Sequence, residues 1–330
     1  MDFVLAVIVV LGGAATFVYG LKLLGEGTEK LVGAKLKKFV AGCVEKPFGG
    51  FLAGAAVAGV TQSSAAVTMV AVGLAEAGAI TFLQAAPVVM GANVGTTVTA
   101  QFIAIFGRGG DYKSAVGAAA GVIFGFFKNK TLKNVGDALV GFGLMLSGLS
   151  ALSGRINALK SYDFLSGFAY VDNPFLLFLF GAAVAAVTQS SSAITGILIT
   201  FSENSFAAFY RAIFIITGSN VGSCAAVILS SANKSEPARE AAVFNFVFNA
   251  FGAILFLPIL VAAKNFLPVI FPHSATDAGR AMADFHTVFN LLSSLAAFPL
   301  LKFLCGVTQK LVAGQKRALR RKFSKNKKTA

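Results

Sequence analysis

Charge is scarce in this chain. Only 13% of its 330 residues are Asp, Glu, Lys or Arg, against about 25% in a soluble domain, which excludes an ordinary water-soluble fold. Paired cysteine is missing too. Cys43, Cys224 and Cys305 lie in or beside apolar segments with no paired spacing, which argues for free thiols over a disulfide framework or metal site. No soluble domain, long linker or low-complexity stretch interrupts the chain. The opening segment lacks the marks of a cleavable leader: Asp2 stands where a basic region belongs and the apolar run continues beyond Tyr19, so it is expected to stay as a helix. Trp is also absent, and that absence excludes nothing.

Apolar residues make up 56% of the chain and the mean hydropathy is +0.77. The expectation is an all-α polytopic membrane protein. Its 35 Gly and 33 Phe suit closely packed membrane helices with aromatic lipid faces. The net charge of +14 could suggest a nucleic-acid partner, but nine Lys/Arg fall in the tail from Lys310 to Lys328. Beside an apolar chain, that tail reads as a cytoplasmic topology signal near anionic lipid, and no nucleic-acid partner is expected.

A spanning helix needs about 20 apolar residues. Candidates are 3–24, 80–106, 114–127 (short), 134–153, 206–231, 240–263 and 280–304. Residues 26–40 are expected to form an amphipathic helix on the membrane surface, since Leu31, Ala34 and Phe39 alternate with lysines at near-helical spacing. The organisation read from this is 1–47 (first helix plus surface helix), 48–170 (repeat 1), 171–308 (repeat 2) and 309–330 (basic tail).

The repeats are visible directly. Thr61-Gln62-Ser63-Ser64-Ala65-Ala66-Val67-Thr68 returns 127 residues later as Thr188-Gln189-Ser190-Ser191-Ser192-Ala193-Ile194-Thr195, and twelve of sixteen residues match between 53–68 and 180–195. Gly91-Ala92-Asn93-Val94-Gly95-Thr96 and Gly218-Ser219-Asn220-Val221-Gly222-Ser223 keep the same offset, so the chain carries an internal duplication. The first pair of motifs sits at the middle of two further apolar stretches, 48–75 and 175–202. Each stretch is either one long tilted helix or a re-entrant hairpin, whose arm of about 20 Å at 1.5 Å per residue reaches the bilayer middle. With hairpins, 21 Lys/Arg fall inside against seven outside; with spanning stretches the tally is 22 against six. Either way the N-terminus is outside and the C-terminus cytoplasmic. The orientation of the repeats stays open at this point.

All four polar motifs fall near the predicted midplane, where unpaired polar groups cost several kcal/mol. Glycines beside Asn93 and Asn220 let the backbone leave helical geometry, and broken helices at that depth line a cavity. Their N-termini suit an anion, and their carbonyls, hydroxyls and amide oxygens suit a cation such as Na⁺. None of the motifs contains Lys, Arg, Asp, Glu or His. An anion would then be held by neutral donors, with co-bound cations compensating its charge, which points to cation-coupled anion transport.

These residues resemble the sodium–phosphate cotransporter family (type II, with bacterial members), marked by two Gln-Ser-Ser repeats, each followed by Gly-x-Asn-[IV]-Gly-[TS]. The likeness extends to Gly20-Leu21-Lys22-Leu23-Leu24-Gly25-Glu26-Gly27 and Phe285-His286-Thr287-Val288-Phe289-Asn290. It implies sodium-driven phosphate transport in a bacterial cytoplasmic membrane by two inverted-topology repeats, each with a re-entrant helical hairpin and a broken transmembrane helix. It implies phosphate at Gln62, Ser63, Ser64, Gln189, Ser190 and Ser191. It implies sodium at Thr61, Gln62, Asn93, Thr96, Thr97, Thr188, Gln189, Ser192, Asn220 and Ser223, with Na⁺ as coupling ion and no cofactor. Ala65 departs from the family's third serine, Cys224 from a common threonine, and the chain is expected to lack the cytoplasmic domain that some bacterial members carry.

Bland readings compete for single residues. Membrane Ser and Thr often bond their own backbone, and Asn or Gln can glue helices together. His286 is expected to be a packing residue, and Glu26, Glu29 and Glu76 to be solvated. Alternative functions are carriage of another small oxyanion, an anion channel, or an intramembrane serine enzyme, although neither Gln-Ser-Ser motif has a base nearby in sequence.

Overall fold

The computed structural model describes residues 3–106, 111–160 and 171–314. Among them every regular element is helical. The first half comprises α1 (Phe3–Cys43), α2 (Pro47–Thr61), α3 (Ser64–Glu76), α4 (Phe82–Gly95), α5 (Thr97–Phe106), α6 (Asp111–Gly125) and α7 (Lys130–Lys160). The second comprises α8 (Pro174–Thr188), α9 (Ser191–Phe201), α10 (Phe206–Gly222), α11 (Ala225–Ser230), α12 (Glu236–Ala262), α13 (Ala278–Ala297) and α14 (Leu301–Gly314). Val7–Leu31, Phe82–Phe106, Lys130–Leu152, Phe206–Ser230 and Glu236–Ala262 are long and apolar enough to cross a membrane. This is an integral, multi-pass, all-α membrane protein.

Three expectations change. Residues 26–40 are not a separate surface helix, because α1 runs unbroken from Phe3 to Cys43. Within that stretch Leu36 and Val40, at i, i+4, are buried, while Leu31 and Phe39 are exposed and the Ala34 side chain lies outside the described residues. Residues 280–304 are not one straight span: α13 and α14 meet at 90° around Pro299, which has no N–H to continue the helical ladder. The 114–127 candidate lies in α6, whose 15 residues fall short of the length for a spanning helix. The basic tail from residue 315 lies outside the described residues.

The duplication is repeated in local geometry. Pro47 and Pro174 each start the first helix of a motif-bearing stretch at its first turn, where a missing N–H does no harm. Thr81 and Ser205 cap α4 and α10 through their hydroxyls. The arm α2 packs on α4, and α8 packs on α10, at distances only glycine permits. A Cβ on Gly91 would run into the Phe51 carbonyl, and one on Gly218 into the Phe178 carbonyl. The second helices of each stretch are held from further along the fold: α3 packs on α12, and α9 on both α13 and α5. Two buried apolar clusters result, one joining α2–α4 with α12 and α14, the other joining α7–α10 with α13. The polar turns lie at the inner ends of these packed arms.

Candidate functional site

Each motif-bearing stretch breaks at its glutamine. Gln62 (φ 54°, ψ 26°) ends α2 and Gln189 (φ 59°, ψ 20°) ends α8 in the left-handed conformation. Among the described residues these are the two non-glycine positions with positive φ. Such a backbone costs roughly 1–3 kcal/mol for a residue with a Cβ. Glycine would avoid that cost, so both sites retain an amide side chain where the backbone alone favours its removal. The next residues, Ser63 and Ser190, are extended and cap α3 and α9. Ser63 Oγ accepts from Ala66 N–H and Ser190 Oγ from Ala193 N–H, both at 3.1 Å.

The two breaks converge on one cavity of about 470 Å³. Gln62, Ser63, Ser64, Thr96, Thr188, Gln189, Ser190, Ser191, Ser192 and Ser223 all line it. Residues 127 apart in sequence thus line the same space, into which the N-termini of α3 and α9 open. The remaining candidates stand behind the wall. Thr61, Thr97, Asn93 and Asn220 are buried and do not line the cavity. The charged residues lining it are Lys22, Glu26 and Glu29 of α1, with Lys22 Nζ 3.9 Å from Glu26. Arg211 and Arg280 pair elsewhere, with Asp172 (2.6 Å) and Asp284 (3.3 Å). The Arg211 hydrogen bond and charge hold the Asp172 carboxyl below the usual carboxylate range. Glu76, though exposed, accepts from the Ser235 N–H at 2.7 Å and its hydroxyl at 2.5 Å, which lowers its pKa in the same way.

The hydroxyls divide by where their protons go. Thr96 donates to the carbonyl of Asn93 (3.0 Å), Thr188 to that of Val184 (3.0 Å) and Ser223 to that of Asn220 (2.9 Å). With its proton turned back into the helix, each presents lone pairs outward, the chemistry of a cation ligand. Gln62 Oε1 is likewise enclosed with no donor. Ser63 and Ser190 are the reverse: having accepted a backbone N–H, each keeps its own proton free to donate. The free backbone N–H groups of the first turns of α3 and α9 add to that, as helix N-termini do for anions. One wall therefore offers both anion donors and cation acceptors.

Behind that wall lies a polar layer. Asn93 Nδ2 donates to the Val89 carbonyl (2.9 Å) and to Asn245 Oδ1 (2.9 Å), and Asn93 Oδ1 accepts from Asn249 Nδ2 (3.2 Å). In the other half Asn220 Nδ2 donates to Asn290 Oδ1 (3.3 Å), and Asn220 Oδ1 faces His286 Nε2 (3.3 Å). Asn290 Nδ2 is held by the His286 carbonyl (2.8 Å), so its oxygen must be the acceptor for Asn220, and His286 must carry its proton on Nε2. Each broken-helix asparagine is thus clasped by an i, i+4 pair from a helix of the second half. Asn245 and Asn249 escaped the motif reading. The signal was present: Phe244-Asn245-Phe246-Val247-Phe248-Asn249 matches Phe285-His286-Thr287-Val288-Phe289-Asn290 at four of six positions.

The Na⁺/Pi-cotransporter family profile matches residues 16–154 and again 164–297. The chain belongs to that family of transporters. Among its relatives is the uncharacterized protein YqeW of Bacillus subtilis (strain 168), 30% identical over 288 residues, covering 86% of this chain and 91% of YqeW. Another is "Putative inorganic phosphate export protein YjbB" of Escherichia coli (strain K12), 26% identical over 293 residues. The Salmonella typhimurium protein of the same name is 24% identical over 306 residues. This chain spans about half the length of those YjbB proteins, 52% and 55% respectively. No solved structure matches the chain.

Proposed function

We propose that this protein is a secondary transporter that couples Na⁺ to the movement of inorganic phosphate across the cytoplasmic membrane by alternating access. The observation that carries this is the convergence of both Gln-Ser-Ser breaks on one cavity, with free hydroxyl protons at Ser63 and Ser190 beside outward lone pairs at Thr96, Thr188 and Ser223. Phosphate sits between the two helix N-termini on Gln62, Ser63, Ser64, Gln189, Ser190 and Ser191. Sodium takes the hydroxyl and amide oxygens around it, Ser192 included. Thr61, Thr97, Asn93 and Asn220 act from behind the wall by fixing the carbonyls and the breaks. An intramembrane serine enzyme is disfavoured, since the residues lining the cavity include no His and the charged ones lie on α1.

The coupling follows from charge. Among the described residues, the one basic side chain lining the cavity, Lys22, is paired with Glu26, so a multiply charged oxyanion needs cations beside it. Calorimetry on purified protein is expected to show phosphate binding about 5–150-fold tighter in Na⁺ than in choline, with phosphate tightening Na⁺ by the same factor. Equal phosphate affinity in the two salts would overturn sodium coupling. Uptake of labelled phosphate into proteoliposomes, with and without a sodium gradient, then tests transport itself.

The two repeats are inverted in this reading, with α2–α3 inserted from the cytoplasm and α8–α9 from outside. Contacts distant in sequence support it, because each joins segments that the positive-inside tally puts on one side. Glu76 meets Ser235 and Lys30 lies 3.8 Å from Asp137 inside; Asp172 meets Arg211 and Lys264 lies 4.6 Å over the Tyr210 ring outside. The cavity, with Lys22, Glu26 and Glu29 at its α1 end, then opens to the cytoplasm. In a cysteine-free background, Ala77→Cys should react with impermeant thiol reagents only from the cytoplasmic side and Asn204→Cys only from outside. Labelling of both from one side would make the repeats parallel.

A further inference from the structure

We infer that Asn245 of α12 is a direct ligand of the transported oxyanion, donating through its amide nitrogen. The inference rests on the proposed function and adds a residue from outside the four repeated motifs. Asn245 is 3% exposed, yet it lines the cavity with Gln62, Ser63 and Ser190. What it shows the cavity is fixed by its neighbours. Asn93 must turn its nitrogen toward the Val89 carbonyl (2.9 Å), and Asn249 must turn its nitrogen toward the Asn245 backbone carbonyl (2.8 Å). Both of those nitrogens also donate to the Asn245 side chain, at 2.9 and 3.1 Å. The Asn245 atom they meet is therefore its oxygen, and the flipped amide would set donors against donors.

The opposite end of the amide carries two N–H donors. Among the described residues nothing accepts from Asn245 Nδ2, and that nitrogen is not among the enclosed atoms left without a partner. It reaches open space, and the open space beside Asn245 is the cavity. A neutral N–H₂ group oriented this way repels a cation and binds an oxyanion, and burial strengthens that bond by excluding competing water. The second clasp does not repeat the device. His286 and Asn290 occupy the matching positions on α13, but neither lines the cavity, and the free His286 nitrogen, Nδ1, is enclosed without a partner. The chemistry thus assigns Asn245 to the anion and to one half only.

Asn245→Asp tests the assignment, because the carboxylate keeps the oxygen that Asn93 and Asn249 hold while it removes the donors. Phosphate and Na⁺ binding are measured separately by calorimetry on wild-type and variant protein, each confirmed folded and monodisperse. Loss of a hydrogen bond to a charged ligand corresponds to roughly 10–150-fold in affinity. Phosphate binding at saturating Na⁺ is expected to weaken at least that much, while Na⁺ binding without phosphate stays equal or tightens. Wild-type phosphate affinity in the variant overturns the inference. So does a parallel loss of phosphate and Na⁺, which would make Asn245 a structural clasp. Should the aspartate variant fail to fold, Asn245→Ala, which removes the held oxygen together with the donors, is read by the same split: phosphate affinity lost with Na⁺ affinity kept supports the inference, and wild-type phosphate affinity overturns it. A wild-type protein that binds no phosphate in Na⁺ strikes the proposed function first, and this inference with it.

Discussion

Gln62→Ala and Gln189→Ala are each expected to abolish nearly all phosphate uptake while leaving an inserted, folded protein. Each glutamine supplies an acceptor oxygen and two N–H donors at the rim of one cavity, so each can serve a cation and an anion together. Removing either contact to a charged ligand costs about 1.5–3 kcal/mol, roughly 10–150-fold in affinity. The left-handed backbone supplies a sharper control. Gln62→Gly and Gln189→Gly remove the same side chain but relieve the φ strain at 54° and 59°, so they should fold at least as well as wild type. A glycine variant that transports at the wild-type rate would show that the turn matters and the amide does not. Loss of transport in both the alanine and glycine variants, with intact melting behaviour, places the function in the side chain.

The second large effect is expected at the glycine contacts. Gly91→Ala drives a methyl into the Phe51 carbonyl and the Ala55 nitrogen, and Gly218→Ala does the same at Phe178 and Ala182. These obstacles are backbone atoms, with no flexible side chain to swing aside. Ordinary overpacking costs about 1–3 kcal/mol; here the two helices must separate along their length, and the cost should exceed that range. Thermal unfolding in detergent should drop sharply for both variants, to a similar extent because the two sites are related by the duplication. Gly12→Ala, where a Cβ meets nothing within 4 Å, is the neutral comparison. Full thermal stability in Gly91→Ala would mean that α2 and α4 tolerate separation.

Much of this site was legible because two copies of a motif cannot both be accidental. The Gln-Ser-Ser motifs stood out as polar residues at the centre of apolar stretches, though whether each stretch breaks there was left open. The inner layer was hidden for a physical reason. Asn245 and Asn249 sit in a helix whose flanks are apolar on every side, and a helix does not announce which neighbour its amides will meet. Asn93 and Asn220 looked like cavity residues by depth alone, yet depth does not specify facing, and both turn toward α12 and α13. The continuity of α1 was obscured by the lysines among Leu31, Ala34 and Phe39, which read as a separate amphipathic segment. Gly27 lets α1 approach the backbone of Ala138 on α7, where any side chain would collide.

The glycine seams have a mechanical consequence. With α2 locked to α4 and α8 locked to α10 by carbonyls lying where a Cβ would stand, each first arm and its broken helix form a single rigid strut. Sliding within a strut is opposed by the same collisions that make the glycines necessary, so relative motion is expected between the struts, through the cavity. In the proposed carrier the struts are expected to move like a pair of jaws: a covalent tether within one strut, between α2 and α4 away from the glycine seam, would pass unnoticed, while one joining the two struts across the cavity would hold the jaws shut.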